Sequence, residues 1–251
     1  MRPPQHIHRH HRWLIAEGAT RTWHRFAADV RAQPDLARRR FAWTLTGGIA
    51  IGVGLMMALV FLVRHLEGAG RLAWETPLLE RIGRLQWFSF STALWAESPG
   101  NSVFMIPVVA AAAILAAWMR RPLRALAILA SFFMLDLLVL AGWLAWNRQR
   151  PHLIAGGIAS PGLHSFPSGH LSQMVACYGL FTWMWIRGSR SAVERVLAVL
   201  ATASVVAEVA LARLRLGSHW PTDIAAGLII GGVWLVIVIV ALRRAEGEGG
   251  R

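Results

Sequence analysis

Lysine is absent from this chain of 251 residues, cysteine and tyrosine each occur once, and charged residues make up only 16% of it. The single Cys177 excludes a disulfide framework within the chain and a cysteine-ligated metal site. With so few charges and 55% hydrophobic residues, the composition also excludes an ordinary soluble domain. What the chain does contain is long apolar runs and 26 basic residues, all of them arginine, with a net charge of +13.

The apolar residues are gathered into six long runs, which is the pattern of membrane-spanning helices. We therefore predict an all-α polytopic membrane protein with a six-transmembrane-helix core. Residues 64–100 hold only shorter apolar patches and are predicted to form a re-entrant or interfacial segment. The predicted spans are 41–63, 102–119, 123–146, 170–186, 193–211 and 223–242.

The polar ends of the chain set the predicted domain boundaries. Residues 1–40 hold nine arginines against three acids and are predicted to form a basic cytoplasmic N-terminal tail. Within it, residues 13–30 could lie on the membrane surface as an amphipathic helix. The membrane domain is predicted over residues 41–243, and a short C-terminal tail over residues 244–251.

The arginines also predict the orientation of the chain, because cytoplasmic loops of membrane proteins are enriched in basic residues. Four segments are basic, and a count of six spans puts all four on the same side of the membrane. They are the N-terminal tail, the turns at 120–124 and 187–195 and the chain end at 243–244. Both termini are therefore predicted to be cytoplasmic, with the protein in the cell (inner) membrane. The positive charge is interpreted as topology and bilayer contact, and no nucleic-acid partner is predicted.

A second group of arginines runs against this bias, because the loops after the third and fifth spans are predicted to be extracytoplasmic. A guanidinium group can donate two parallel hydrogen bonds to two oxygens of a phosphate, and it stays charged at any relevant pH. Ser168 and Gly169 precede a predicted helix, whose free backbone N–H groups and dipole favour an anion. The outer ends of the spans thus predict a phosphate site. The arginines concerned are Arg148, Arg150, Arg213 and Arg215.

Two histidines in the same segments can divide the chemistry of phosphoryl transfer. One can attack phosphorus while the other protonates the leaving oxygen. His219 and Asp223 are four residues apart across a predicted helix start. The carboxylate can therefore hold the imidazole in the tautomer that leaves its other nitrogen free to attack. The second histidine is His170, at the start of the fourth span, and such a site needs no metal ion or other cofactor.

These segments resemble the signature of the phosphatidic acid phosphatase type 2 superfamily. That signature reads Lys-x6-Arg-Pro, then Pro-Ser-Gly-His, and finally Ser-Arg-x5-His-x3-Asp. Arg150-Pro151 matches the end of the first part, and Pro167-Ser168-Gly169-His170 matches the whole second part. The third part is matched by Arg213, His219 and Asp223. The resemblance covers about residues 102–242.

The resemblance implies a six-helix membrane phosphatase that acts on a lipid phosphate or diphosphate. His219 would be the nucleophile that forms a phosphohistidine, with Asp223 as its partner and His170 as the general acid. The phosphate would be held by Arg150, Ser168, Gly169 and Arg213. The active site would face the extracytoplasmic side.

Two positions depart from that signature. The serine before the third-part arginine is Ala212, and the lysine of the first part is Trp143. Because tryptophan carries no charge, one charge-assisted contact worth roughly 1.5–3 kcal/mol is missing. Arg148 or Arg215 could replace that contact, whereas Trp143 is expected to lie at the membrane interface.

Three functions stay open at this point. The first is hydrolysis of a lipid such as undecaprenyl diphosphate, phosphatidylglycerol phosphate or phosphatidic acid. A lipid phosphotransferase could use the same site, because a phosphohistidine can pass its phosphate to an acceptor other than water. An inactive lipid-binding relative is the third, because of Trp143. Neither the lipid nor the oligomeric state follows from the sequence.

Overall fold

The computed structural model describes residues 20–151 and 164–247, and no strand occurs among them. The predicted all-α fold class is thereby confirmed. Helix α1 covers residues 20–31. The long helices that follow are α2 (Asp35–Gly68), α5 (Ser102–Trp118), α6 (Pro122–Ala145), α7 (Gly169–Gly188), α8 (Ala192–Arg215) and α9 (Pro221–Glu246). Helices α3 (Glu75–Gly83) and α4 (Phe90–Ala96) and a 3-10 turn (Ser98–Gly100) are short.

Within the described residues, five helical stretches are long and apolar enough to cross a membrane. They are α2, Phe90–Trp118 (α4, the 3-10 turn and α5 together), α6, α8 and α9. The remaining predicted span coincides with α7, which has 20 residues but buries polar side chains such as Ser172 and Gln173. Helix α7 packs against α6, α8 and α9, so these polar groups face protein instead of lipid. The count of six spans stays a prediction.

The first span differs from the prediction at its start. Helix α2 begins at Asp35, directly after Pro34, well before the predicted start at residue 41. A carboxylate in the first turn is favourable at a helix N-terminus, which explains why the helix continues back into the basic segment. Of the predicted tail, residues 1–19 lie outside the described residues. In the predicted surface helix, residues 20–30 are helical, and Phe26 packs against the core of the bundle.

A close crossing of α7 and α9 positions the site. A Cβ atom at Gly227 would lie 2.7 Å from the carbonyl oxygen of Ser168, and one at Gly231 would lie 2.5 Å from that of Ser172. Only glycine fits at either position, so the two helix backbones can touch. As a result the two helices start side by side, and the N–H of Ser168 donates to the carbonyl of Asp223 at 3.1 Å.

The opposite end of the bundle is basic. Glu246, at the end of α9, accepts from Arg124 at 3.0 Å and from Arg187 at 2.8 Å. Arg244 donates to Thr44, near the start of α2, at 3.4 Å. The ends of α7 and α9 and the starts of α2 and α6 therefore meet at the end of the bundle that lies away from the motif segments. Which side of the membrane this end faces stays a prediction.

Candidate active site

The turn between α8 and α9 brings His219 into the interior. Gly217, with φ of +64°, ends α8 in the left-handed conformation that favours glycine, and the N–H of Ser218 bonds back to the carbonyl of Arg213 at 3.0 Å. The imidazole of His219 is only 2% exposed, and its Nδ1 lies 2.8 Å from the carbonyl oxygen of Ser165. Because a carbonyl can only accept, Nδ1 carries the hydrogen and Nε2 keeps the lone pair.

Asp223, in the first turn of α9, is completely buried and stabilises this turn. Its Oδ2 accepts from the backbone N–H of Trp220 at 2.8 Å and from the Ser165 hydroxyl, and it lies 3.6 Å from Nδ1 of His219. Its Oδ1 accepts from Arg148 at 2.6 Å. The Ser165 carbonyl is thus the nearer partner of the imidazole, while Asp223 supplies the negative charge beside it.

The electrostatics of the turn keep His219 neutral. Burial lowers the pKa of His219 to about 4, nearby Asp223 opposes this, and Arg213 and Arg150 add to it. At neutral pH the lone pair on Nε2 is therefore available for nucleophilic attack. Burial and the neighbouring Arg213 also lower the pKa of Arg150, to about 10, which still leaves that guanidinium charged at neutral pH.

The two predicted phosphate-binding arginines are both held by the protein. Arg150 donates to the carbonyl of Ser218 at 2.6 Å and to that of His164 at 3.4 Å. Arg213 is 5% exposed and forms an ion pair with Glu97 through Nη1. Both cations act electrostatically on His219, so they belong to one cluster with it.

Buried polar atoms without a partner point to a ligand in this cluster. In the described parts of the motif segments, Nε of Arg213 and the hydroxyl oxygens of Ser168 and Ser218 have no hydrogen-bond partner. An unsatisfied buried polar group costs roughly 1–3 kcal/mol, so such atoms are typical of a site that a polar ligand completes. With Arg150 and Arg213 beside them, the ligand that fits is an anion.

His170 and Gly169 begin α7. Nε2 of His170 lies 2.9 Å from Oδ1 of Asn101, and its ring interacts electrostatically with Arg213, His219 and Arg150. A Cβ atom at Gly169 would meet only ordinary contacts, the nearest 3.5 Å away. Packing within the protein therefore does not require this glycine, which is consistent with the predicted close approach of a ligand.

The position of the motif lysine has a structural role in this chain. Trp143 donates its indole N–H to the carbonyl of Pro167 at 3.2 Å and lies beside Gly169. It is half-buried and supports the turn that precedes α7. The structure therefore gives it a hydrogen-bonding contact in addition to the interfacial location that its sequence position predicts.

The two arginines predicted as substitutes for that lysine are engaged elsewhere. Arg148 is 3% exposed and donates to Glu67 at 3.2 Å, to Glu75 at 2.8 Å and to Asp223 at 2.6 Å. Nε of Arg215 donates to the carbonyl of Phe88 at 2.9 Å. These contacts do not favour the substitute role, which stays a prediction.

Several site residues were missed by the sequence reasoning, and most of them lie in the segment 64–100 or directly after it. Glu75 is 1% exposed and accepts from Thr222 and Arg148, while Glu97 pairs with Arg213. The available signal was the acid content of that segment, because an acid beside apolar patches needs a counter-charge when it is buried. Asn101 and Ser165 carried no such signal.

The chain is similar to a known protein family in sequence and to a solved structure in fold. Residues 124–246 match the model of the PAP2 superfamily. The fold is similar to the crystal structure of the first transmembrane PAP2 type phosphatidylglycerolphosphate phosphatase from Bacillus subtilis, with a TM-score of 0.65 and 18% identity over 75% of this chain and 94% of that one. No match was found among curated protein sequences. Residues 124–246 therefore carry the PAP2 superfamily domain, and this match confirms the resemblance that the three motifs predicted.

Proposed function

We propose that this chain is a membrane-embedded phosphatase that hydrolyses a lipid phosphate or diphosphate through a phosphohistidine at Nε2 of His219. Its family supports lipid phosphatase activity in general terms. The observation that carries the proposal is the neutral imidazole whose Nδ1–H is bound by the Ser165 carbonyl at 2.8 Å. Its free Nε2 belongs to a cluster of cations and unpartnered hydroxyls that can hold a phosphate.

The first step transfers the phosphoryl group to the protein. Nε2 of His219 attacks phosphorus, the bond from phosphorus to the lipid oxygen breaks, and His170 gives a proton to that oxygen. Asp223 stabilises the positive charge that develops on the His219 ring. Arg150 and Arg213 stabilise the equatorial oxygens, with hydrogen bonds from Ser168, Ser218 and the N-terminus of α7.

The second step releases inorganic phosphate. A water molecule attacks phosphorus, His170 takes a proton from it, and the bond between phosphorus and Nε2 breaks. His219 returns to the neutral tautomer that the Ser165 carbonyl selects. The protonated His170 is then ready for the next substrate, so the protons balance over the cycle.

An apolar groove near the site supports a lipid substrate. It has a volume of about 400 Å³ and opens between α5, α7 and α8. Pro99, which lines the groove, is two residues from Asn101, which contacts His170. A hydrocarbon chain could lie in this groove while its phosphate reaches His219. The groove residues are Pro99, Phe104, Tyr178, Phe181, Thr182, Ala201, Thr202 and Val205.

The proposal includes the predicted topology. Helix α7 would cross the membrane as the fourth of six spans, both termini would be cytoplasmic, and the active site would face the extracytoplasmic side of the cell membrane. The basic end formed by Arg124, Arg187 and Arg244 would then be cytoplasmic, as the positive-inside bias requires. The proposed membrane domain covers residues 41–243, with the first helix extended back to Asp35.

The test is phosphate release in detergent, with EDTA present, from phosphatidylglycerol phosphate, phosphatidic acid and undecaprenyl diphosphate. Phosphatidylglycerol phosphate is tried first, because the similar crystal structure is that of a phosphatidylglycerolphosphate phosphatase. We expect release by the wild type and a loss of more than about 10³-fold in His219→Ala. His24→Ala, an exposed histidine of α1, is the matched control and should leave the rate unchanged.

The alternatives give different products. Phosphate found on an added alcohol or lipid acceptor, instead of free in solution, would indicate a phosphotransferase. Lipid binding by folded protein with no turnover on any substrate would indicate an inactive relative and would contradict the proposal. In that case Trp143→Lys, which restores the motif lysine, is the first variant to assay.

A further inference from the structure

A short segment outside the three motifs contacts the site. In this segment, residues 97–101, Glu97 pairs with Arg213, the carbonyl of Pro99 accepts from the Tyr178 hydroxyl at 2.7 Å, and Asn101 contacts His170. A Cβ atom at Gly100 would lie 3.1 Å from a ring carbon of His170. The backbone of the segment therefore packs directly against the imidazole.

Asn101 stands at the N-cap of α5 without capping that helix. An asparagine at this position usually accepts a hydrogen bond from a backbone N–H of the first turn. Here the side chain makes no such bond, and its Oδ1 lies 2.9 Å from Nε2 of His170 instead. The Asn101 side chain therefore contacts His170 instead of capping α5.

We propose that Asn101 is a positioning residue that holds Nε2–H of His170 and leaves Nδ1 as the nitrogen that transfers the proton. An amide oxygen can only accept, so Nε2 must carry a hydrogen. In the imidazolium form Nδ1 then gives its proton to the leaving oxygen. In the neutral form Nδ1 holds the lone pair that takes a proton from the attacking water, while Nε2–H is unchanged in both steps. This inference rests on the proposed function.

Two substitutions at Asn101 separate positioning from helix capping. Asn101→Ser keeps a good N-cap residue but is too short to reach His170, whereas Asn101→Asp keeps the acceptor. The value of kcat/KM is measured with a lipid phosphate and with p-nitrophenyl phosphate, whose nitrophenolate leaves without a proton. We expect Asn101→Ser to lose about 10- to 100-fold on the lipid and almost nothing on p-nitrophenyl phosphate. Asn101→Asp should stay within a few-fold of wild type on both.

His170→Ala provides the reference pattern, because loss of the general acid should also affect the lipid far more than the nitrophenyl ester. Equal losses on both substrates in Asn101→Ser, or wild-type rates on both, would overturn the positioning role. A loss in Asn101→Asp as large as in Asn101→Ser would overturn it as well. Failure of the proposed function is separate, since it would appear as no phosphate release by the wild type.

A measurement without substrate tests the same contact. Nitrogen chemical shifts of ¹⁵N-histidine-labelled protein report the tautomer of His170, identified by the signal that His170→Ala lacks. Neutral His170 should carry its hydrogen on Nε2 in the wild type and in Asn101→Asp, and lose this preference in Asn101→Ser. A wild-type His170 protonated at Nδ1, or a tautomer indifferent to Asn101→Ser, would overturn the proposal even if the enzyme had no activity.

Discussion

At the scale of single residues, Arg148 illustrates how burial decides the role of a charge. Its guanidinium is 3% exposed, donates to three carboxylates and lies 5.3 Å and 5.4 Å from the ring centres of Trp146 and Trp220. Buried acids are tolerated only when they are paired, so Arg148 makes it possible to bury both Glu75 and Asp223. Through Asp223 it stabilises the turn that carries His219.

We expect Arg148→Ala to lower the free energy of unfolding by about 3–5 kcal/mol, because it leaves Glu75 and Asp223 as uncompensated buried charges. The loss would be measured as a lower Tm in detergent and should be accompanied by a loss of activity. Arg84→Ala is the control: its side chain is 81% exposed, and its ion pair with Glu80 spans 3.7 Å. That change should stay within about 0.5 kcal/mol of wild type.

The opposite result for Arg148→Ala is informative too. An unchanged Tm together with a raised KM for the lipid would mean that the guanidinium contacts substrate. That outcome would support the predicted role of Arg148 as a substitute for the motif lysine.

At the scale of elements, the crossing of α7 and α9 brings two motifs together. Gly227 and Gly231 are four residues apart on one face of α9, the spacing that lets membrane helices approach closely. The motif segments predicted which residues start each helix, and their order along the chain. No local sequence pattern indicated that α7 and α9 cross, so the contact between Ser168 and Asp223 is seen only in the structure.

We expect Gly231→Ala to destabilise the protein by roughly 1–3 kcal/mol and to lower kcat, because the new Cβ would lie 2.5 Å from the Ser172 carbonyl, a backbone atom that cannot rotate away. The start of α7, with Ser168 and His170, would have to move. Gly232→Ala on the same helix is the matched control, since a Cβ there meets nothing within 4 Å. Equal Tm and kcat for the two variants would contradict the close crossing.

At the scale of the whole molecule, two groups of charged residues lie at opposite ends of the bundle. Glu246 gathers Arg124 and Arg187 at one end, while the cluster around His219 occupies the other. A phosphate site at the His219 end would explain why arginines occur there although the positive-inside bias does not require them. This arrangement supports the proposal that the active site faces the extracytoplasmic side.

The topology can be measured by labelling introduced cysteines, because the native Cys177 is buried and gives little background. We expect a membrane-impermeant maleimide added to spheroplasts to label Gln86→Cys, near the active-site end, but not Gly188→Cys, at the end of α7. Both should react after detergent is added. Labelling of Gly188→Cys alone would mean the inverse orientation, and labelling of both in intact membranes would mean that α7 does not cross.

The sequence by itself determined the helices of this protein and indicated the reacting groups that we propose, since both depend on local features. Apolar runs predicted every long membrane helix to within a few residues at most ends, and the spacing between His219 and Asp223 already placed them together across a helix start. The resemblance to the PAP2 superfamily, which the match of residues 124–246 confirms, followed from the same motifs.

Only the tertiary structure decided which groups surround the reacting residues. Arg148 and Glu75 are 73 positions apart in the chain, and His170 and Asn101 are 69 apart. Contacts over such separations depend on how the helices pack, which no local pattern records. The strength of each ion pair depends in turn on burial. This is why the sequence left Arg148 open as a substitute for the motif lysine, whereas the folded chain shows it paired with three carboxylates.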